Sequence, residues 1–299
     1  MKLCRFGENR YGVVREGRVY DVTEHVAKAV VAAPLQRGDA AIANLADIVR
    51  LVEQAELDAP VASVNEASFL APVINPTKII GAPVNYEAHI AESLADPGIT
   101  YNHAVAGIEK AGLFLKSSSA LVGPGEGVAV RFSDRRTDHE IELGVVIGRE
   151  CANVSEARAL DVVAGYAIAL DMTVRGTEDR SFRKSIDTYA VLGPWLVTPD
   201  ELPEPDSVDF TLRVNGAVRQ QSNTRHLIFK TRKLIAWASN WYTLYPGDVL
   251  MTGTPEGVGP VAPGDVMECE MQYVGAMRVA VRAATVYQAD SRASEVLAR

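Results

Sequence analysis

Cysteine is scarce in this 299-residue sequence, and Cys4, Cys151 and Cys269 are widely separated, with no C-x-x-C pair among them. That pattern supports neither a disulfide framework nor a zinc knuckle, and it points to a cytoplasmic protein. Basic residues are also in deficit: 30 Lys and Arg against 38 Asp and Glu leave a formal charge of -8. Nucleic acid and anionic membrane both call for a basic surface, so neither is expected as a main partner. No apolar run reaches the roughly 20 residues that cross a bilayer. The opening MKLCRFGENR lacks the apolar stretch of a secretory signal. Walker and Rossmann glycine patterns, internal repeats and low-complexity tracts are missing too, so no nucleotide is implied.

What is present suits a folded globular protein, with 47% hydrophobic and 23% charged residues. The length favours a small unit beside a larger one, here 1–72 and 73–299. In the first, strand-like runs at 3–6 and 11–22 are broken by Gly7-Glu8-Asn9 and Glu16-Gly17. An alanine-rich stretch over 26–55 then places Ile42, Leu45, Ile48, Val49 and Leu51 at helical spacing. Pro60, Pro72 and Pro76 mark a linker. From Lys78 onward the pattern is rich in strands, including 141–147, 163–170 and a hairpin turning at Asn215-Gly216. One clear helix is expected, capped by Thr224, with Leu227, Ile228, Leu234, Ile235, Ala238 and Trp241 on its apolar side. Trp237 and Trp241 read as packing residues. The expected class is mixed α/β with much antiparallel sheet.

Five segments carry chemistry. On a strand, Asp138, Glu140 and Glu142 share one face, where their mutual repulsion would become binding if a hard divalent cation sat among them. Asp171 ends an apolar run, and Asp171, Thr173 and Arg175 would share a face if that strand continues. Arg175 beside a metal carboxylate suits an acidic, chelating substrate. On a helix, His89 and Glu92 stand at i, i+3, so the carboxylate can hold the imidazole as a water-activating base. Lys184 precedes a compact Gly193-Pro194 turn. Gly253 and Thr254, in a glycine-rich stretch, could present donors to an anion. Each segment alone also has a plainer account: an acidic strand face in water, a turn aspartate, a surface His-Glu pair, a solvated lysine.

Their order narrows the choice. NYEAHIAE, LFLKSSSALVGPG, DHEIELGVVIG, GYAIALDMTVRG, RKSIDTYAVLGPW, QQSNTRHLIF and PGDVLMTGTPEGVG follow one another between about 78 and 281. In that succession the chain resembles the fumarylacetoacetate hydrolase family. The resemblance implies a β-roll-like, strand-rich α/β fold with a small α+β N-terminal domain, commonly a homodimer. It implies Glu140, Glu142 and Asp171 as ligands of a divalent metal, usually Mg²⁺, with Mn²⁺ or Ca²⁺ as alternatives. It assigns His89 and Glu92 to water activation, Lys184 to the developing enolate, and Thr254, after Gly253, to substrate contact. Where many members carry Arg-Asp-x-Gln, this chain has Arg175-Gly176-Thr177-Glu178, so the Glu178 carboxylate replaces a substrate-binding amide. The implied reaction is hydrolysis of a C–C bond in an acylpyruvate-type 2,4-dioxo acid, as in aromatic catabolism. Decarboxylation of oxaloacetate-like acids, isomerisation of unsaturated 2-oxo diacids, and metal or 2-oxo acid binding without turnover stay open.

Overall fold

The computed structural model describes residues 1–32, 37–101 and 105–285. Its centre is a 12-stranded sheet, in which Lys2–Phe6, Ala190–Val197, Val163–Asp171, Ile141–Ile147, Val249–Met251, Ile79–Gly81 and Phe114–Lys116 lie side by side. A second, 5-stranded sheet runs Ala217–Asn223, Asp209–Val214, Val266–Met271, Gly275–Ala283 and Val128–Val130. Both sheets are open, and the fold is mixed α/β and rich in strands.

Alternation along the central strands decides what each face packs against. Ile141, Leu143, Val145 and Ile147 join Tyr166, Ile168 and Leu170 in a core shared with Phe210, Leu212, Met267 and Val279 of the second sheet. The opposite face is built from small residues. Val146, Ala164, Ala167 and Ala169 meet Leu192, Leu196 and the helices Thr23–Val31 and Leu45–Gln54, through Val26, Ala29, Ile48 and Val52. Gly144 has no room for a side chain there, since a Cβ would lie 2.8 Å from Leu192 Cδ1.

The first 72 residues extend the same central sheet: Leu3 pairs with Leu196, and Phe69–Leu70 pairs with Lys2–Phe6. The alanine-rich stretch forms three helices, Thr23–Val31, Ala40–Ala43 and Leu45–Gln54, while its residues 33–36 lie outside the described residues. The hairpin at Asn215-Gly216 forms as expected, both residues having positive φ. Among the described residues, no helix is long and apolar enough to cross a membrane.

Three expectations need correction. The helix with the tryptophans begins at Thr231, not after Thr224, and Thr224 sits in a separate 3₁₀ turn where its hydroxyl accepts from Val208 N–H. The cause is Asn85. Its backbone and side-chain oxygens take the N–H groups of Ile228 and Phe229, which keeps that segment out of the helix. Trp237 packs on Phe229 with ring centroids 5.2 Å apart, whereas Trp241 is 72% exposed and belongs to no core. The Gly193-Pro194 pair, expected as a turn, lies inside the buried strand Ala190–Val197, with a cis peptide bond. A register shift between Tyr166 and Ile168 of the adjoining strand accommodates the proline, which has no N–H to donate.

Candidate metal centre

Two neighbouring strands bring the acids together. Register places Glu142 opposite Ala169, so Asp171, two residues on, is its diagonal neighbour on the same sheet face. Glu140 stands at a break between Thr137–His139 and Ile141–Ile147, and its carbonyl accepts from Asp171 N–H at 2.9 Å. The strand is therefore not continuous through Asp138, Glu140 and Glu142. Glu140, Glu142 and Asp171 each offer an oxygen, these lie within 4.8 Å of one another, and all three residues are buried. Asp138 turns instead to two guanidinium groups, Arg136 Nε at 2.7 Å and Arg175 Nε at 2.8 Å.

Cations surround the acids. Lys184 Nζ donates to Glu140 Oε2, Asp171 Oδ2 and Thr173 Oγ1, each at 2.6 Å, which uses its three N–H bonds. Lys116 Nζ donates to Asp171 Oδ1 and, at 2.8 Å, to Tyr189 O. Arg175 Nη2 reaches Glu140 Oε1 at 2.9 Å while its Nε holds Asp138. Arg175, expected to face substrate, is thus tied to two acids of the chain itself. Gly253 N–H does meet an anion, but the anion is Glu142 Oε2 at 2.6 Å. Gly253 holds φ +102°, and an added Cβ would fall 2.7 Å from Asn85 Cβ, so glycine is required for that approach.

The three acids experience this setting unequally. Burial raises Glu140, but Lys184 and Arg175 outweigh it and hold the carboxyl well below the usual range. Burial and then the Asp171 charge push Glu142 well above it, with Lys184 and the Gly253 N–H offsetting only part. A buried, all-oxygen trio holding one displaceable proton fits a hard divalent cation. The sign of the pH dependence follows. In ion-free protein Glu142 retains a proton that the unfolded chain has lost, so its contribution to stability falls as pH rises from the ordinary carboxylate range towards the raised value. A cation displaces that proton, so Mn²⁺ affinity is expected to rise about tenfold per pH unit across the same window. Calorimetry in buffers of differing ionisation heat would read the released proton. Release that persists in Glu142→Gln would remove Glu142 from the ligand set.

The His89-Glu92 pair stands at the same cavity as the acids. His89 and Glu92 lie on the helix Glu87–Ala95, with Nδ1 and Oε2 2.8 Å apart, and Glu92 Oε1 accepts from Gly257 N–H at 2.8 Å. With Nδ1 donating to Glu92, Nε2 is the basic nitrogen. His89, Glu140, Glu142, Asp171, Arg175, Glu178, Lys184 and Thr254 line one cavity of about 320 Å³. Glu178 is held by a two-pronged pairing with Arg135, at 2.9 and 2.8 Å. Thr254 Oγ1 donates to Ile141 O at 2.9 Å and accepts from Gln220 Nε2 at 2.8 Å.

Lys116 and Gln220 went unassigned in the sequence, although both sit in the segments quoted above. Gln220 Oε1 accepts from Ile141 N–H at 3.1 Å, which fixes the strand on which Glu142 stands. For Lys116, the usable signal was Phe114-x-Lys116, an alternation that puts a charge on the same strand face as a buried ring.

A buried carboxylate trio with a His-Glu pair on the same cavity fits a divalent-metal enzyme. The family model described as fumarylacetoacetate (FAA) hydrolase C-terminal matches residues 78–282. The maleylpyruvate hydrolase of Aquipseudomonas alcaligenes is 50% identical over 289 residues, covering 94% of this chain and 99% of that one. The mitochondrial oxaloacetate tautomerase Fahd2a of Rattus norvegicus is 36% identical over 253 residues, 81% of this chain and 76% of that one. The crystal structure of maleylpyruvate hydrolase from Sphingobium sp. SYK-6, in complex with manganese(II) ion and pyruvate, is similar with a TM-score of 0.79 and 38% identity, covering 95% of this chain and 100% of that one. The chain belongs to the fumarylacetoacetate hydrolase family.

Proposed function

We propose that this protein hydrolyses acylpyruvates, 2,4-dioxo acids of the maleylpyruvate kind, at the C3–C4 bond. The observation that carries the reading is the His89-Glu92 pair on the same cavity as Glu140, Glu142 and Asp171. Decarboxylation has no use for a base that activates water. A divalent ion held by the three acids, Mg²⁺ in the cell or Mn²⁺, supplies Lewis-acid polarisation of the 2-oxo acid end when bound. His89 Nε2 takes a proton from water as the oxygen bonds to C4. The C3–C4 bond then breaks with its electron pair on C3, and the His89 proton passes to C3, giving pyruvate and a carboxylic acid. Glu92 holds the ring and stabilises its protonated form. Lys184, fixed by three acceptors, offsets the negative charge that grows beside it rather than moving to the substrate.

The test is Mn²⁺-loaded protein in ¹⁸O-water with acetylpyruvate, maleylpyruvate and oxaloacetate, followed by mass spectrometry. Pyruvate and a singly labelled acid are expected. The rat tautomerase relative favours one second reading, keto-enol exchange of oxaloacetate without bond cleavage. Exchange with no labelled acid from any substrate would establish that reading and remove hydrolysis. The proposal extends to a cytoplasmic homodimer, as the family resemblance implies, and sedimentation of the Mg²⁺-loaded protein checks the assembly.

A further inference from the structure

Four cations line the cavity, Arg175, Arg180, Arg183 and Lys184. Three are committed to the chain. Arg175 is held by Asp138 and Glu140, Lys184 by Glu140, Asp171 and Thr173, and Arg183 by the carbonyls of Glu178 and Val174 at 2.9 and 3.0 Å. Arg180 is different. Among the described residues its guanidinium has neither a hydrogen bond nor an ion pair, and it rests over the Phe114 ring at 5.7 Å.

The acids adjoining it in sequence are engaged elsewhere: Glu178 by Arg135, and Asp179 by Ser181 N–H at 2.8 Å. Arg180 is partly buried, and burial works against its charge, with Glu140 and Asp171 too far away to hydrogen-bond it. A half-desolvated guanidinium with all five donors free is set to receive a planar anion in a two-pronged pairing. The trio of acids meets the 2-oxo acid end of a substrate. Arg180, on the same cavity but out of hydrogen-bond reach of the trio, is therefore placed for the other end of the molecule.

We propose that Arg180 holds the distal carboxylate of the substrate, so that the enzyme prefers acylpyruvates whose acyl chain ends in a carboxylate over those ending in a methyl group. The inference rests on the hydrolase reading and adds to it the residue that reads the far end of the substrate. Arg180 is a binding residue in this scheme and takes no part in bond cleavage.

Steady-state kinetics of Mn²⁺-loaded wild type, Arg180→Gln and Arg180→Lys on maleylpyruvate and acetylpyruvate test it. Arg180→Gln is expected to lower kcat/KM for maleylpyruvate about 100-fold, mostly through KM, and for acetylpyruvate by less than about threefold. Arg180→Lys should recover about tenfold of the loss, since it restores charge without the planar fork. Equal losses on both acids would overturn the inference and leave the hydrolase reading standing, because the residue would then serve an end common to both. An unchanged KM for maleylpyruvate would overturn it as well. Wild type that cleaves neither acid would remove the hydrolase reading and this inference together.

Discussion

Asp171→Asn is expected to lower kcat by about 100- to 1,000-fold and to weaken Mn²⁺ binding by a similar factor. The reason lies in how many groups share this carboxylate. One oxygen accepts from Lys116 and the other from Lys184, and both lysines are buried. An amide keeps the shape but loses the charge, and whichever way it is turned its NH₂ group faces an ammonium. The ion then loses a ligand while Lys116 loses its counter-charge and Lys184 is left with Glu140 alone. Asp171→Ala goes further and leaves both lysines facing a void, at a cost of roughly 3–5 kcal/mol. Thermal unfolding without added ion separates the two roles, because it reads the lysine pairing alone. Should Asp171→Asn unfold early yet bind Mn²⁺ as tightly as wild type, Asp171 is an anchor for the lysines and not a ligand.

The second large effect concerns His89, the proposed base. His89→Gln is expected to lower kcat by about 10²- to 10⁴-fold with Mn²⁺ affinity unchanged, because the ring lies outside the acid trio. Glu92→Gln should lose less, since an amide oxygen can still accept from the ring or from Gly257 N–H. Rapid-quench measurement with maleylpyruvate would distinguish slowed cleavage from slowed release. Turnover by His89→Gln within tenfold of wild type would mean that water is activated elsewhere in the cavity.

Much of this centre could be read in the chain, and what escaped has a common physical cause. Period-2 alternation placed Glu140 and Glu142 together, an apolar run delivered Asp171, and helical spacing joined His89 to Glu92. These are local relations, fixed by backbone geometry over a few residues. The misses depend on partners far away in sequence. The first turn of the expected helix was lost at Ile228 and Phe229 because Asn85 claims their N–H groups. Lys116 drew no assignment, because its partners, Asp171 and the Tyr189 carbonyl, lie far along the chain. Arg175 was read as a substrate contact, but Asp138, projecting towards it from the adjoining strand, reaches its guanidinium first. Arg180 had no signal at all, since what distinguishes it is the partners that its neighbours already have.

The acid trio stands on one pair of adjoining strands, Ile141–Ile147 and Val163–Asp171 with Glu140 at their edge, whereas the cavity walls come from elsewhere. His89 arrives on one helix, Arg180 and Lys184 on a short second one, and Thr254 on a loop. Such a layout separates two kinds of inheritance. A mutation in the walls can change which acid enters, or what becomes of it, while the ion seat keeps its shape. Relatives named for hydrolysing one 2-oxo acid and tautomerising another are what such a division of labour would yield.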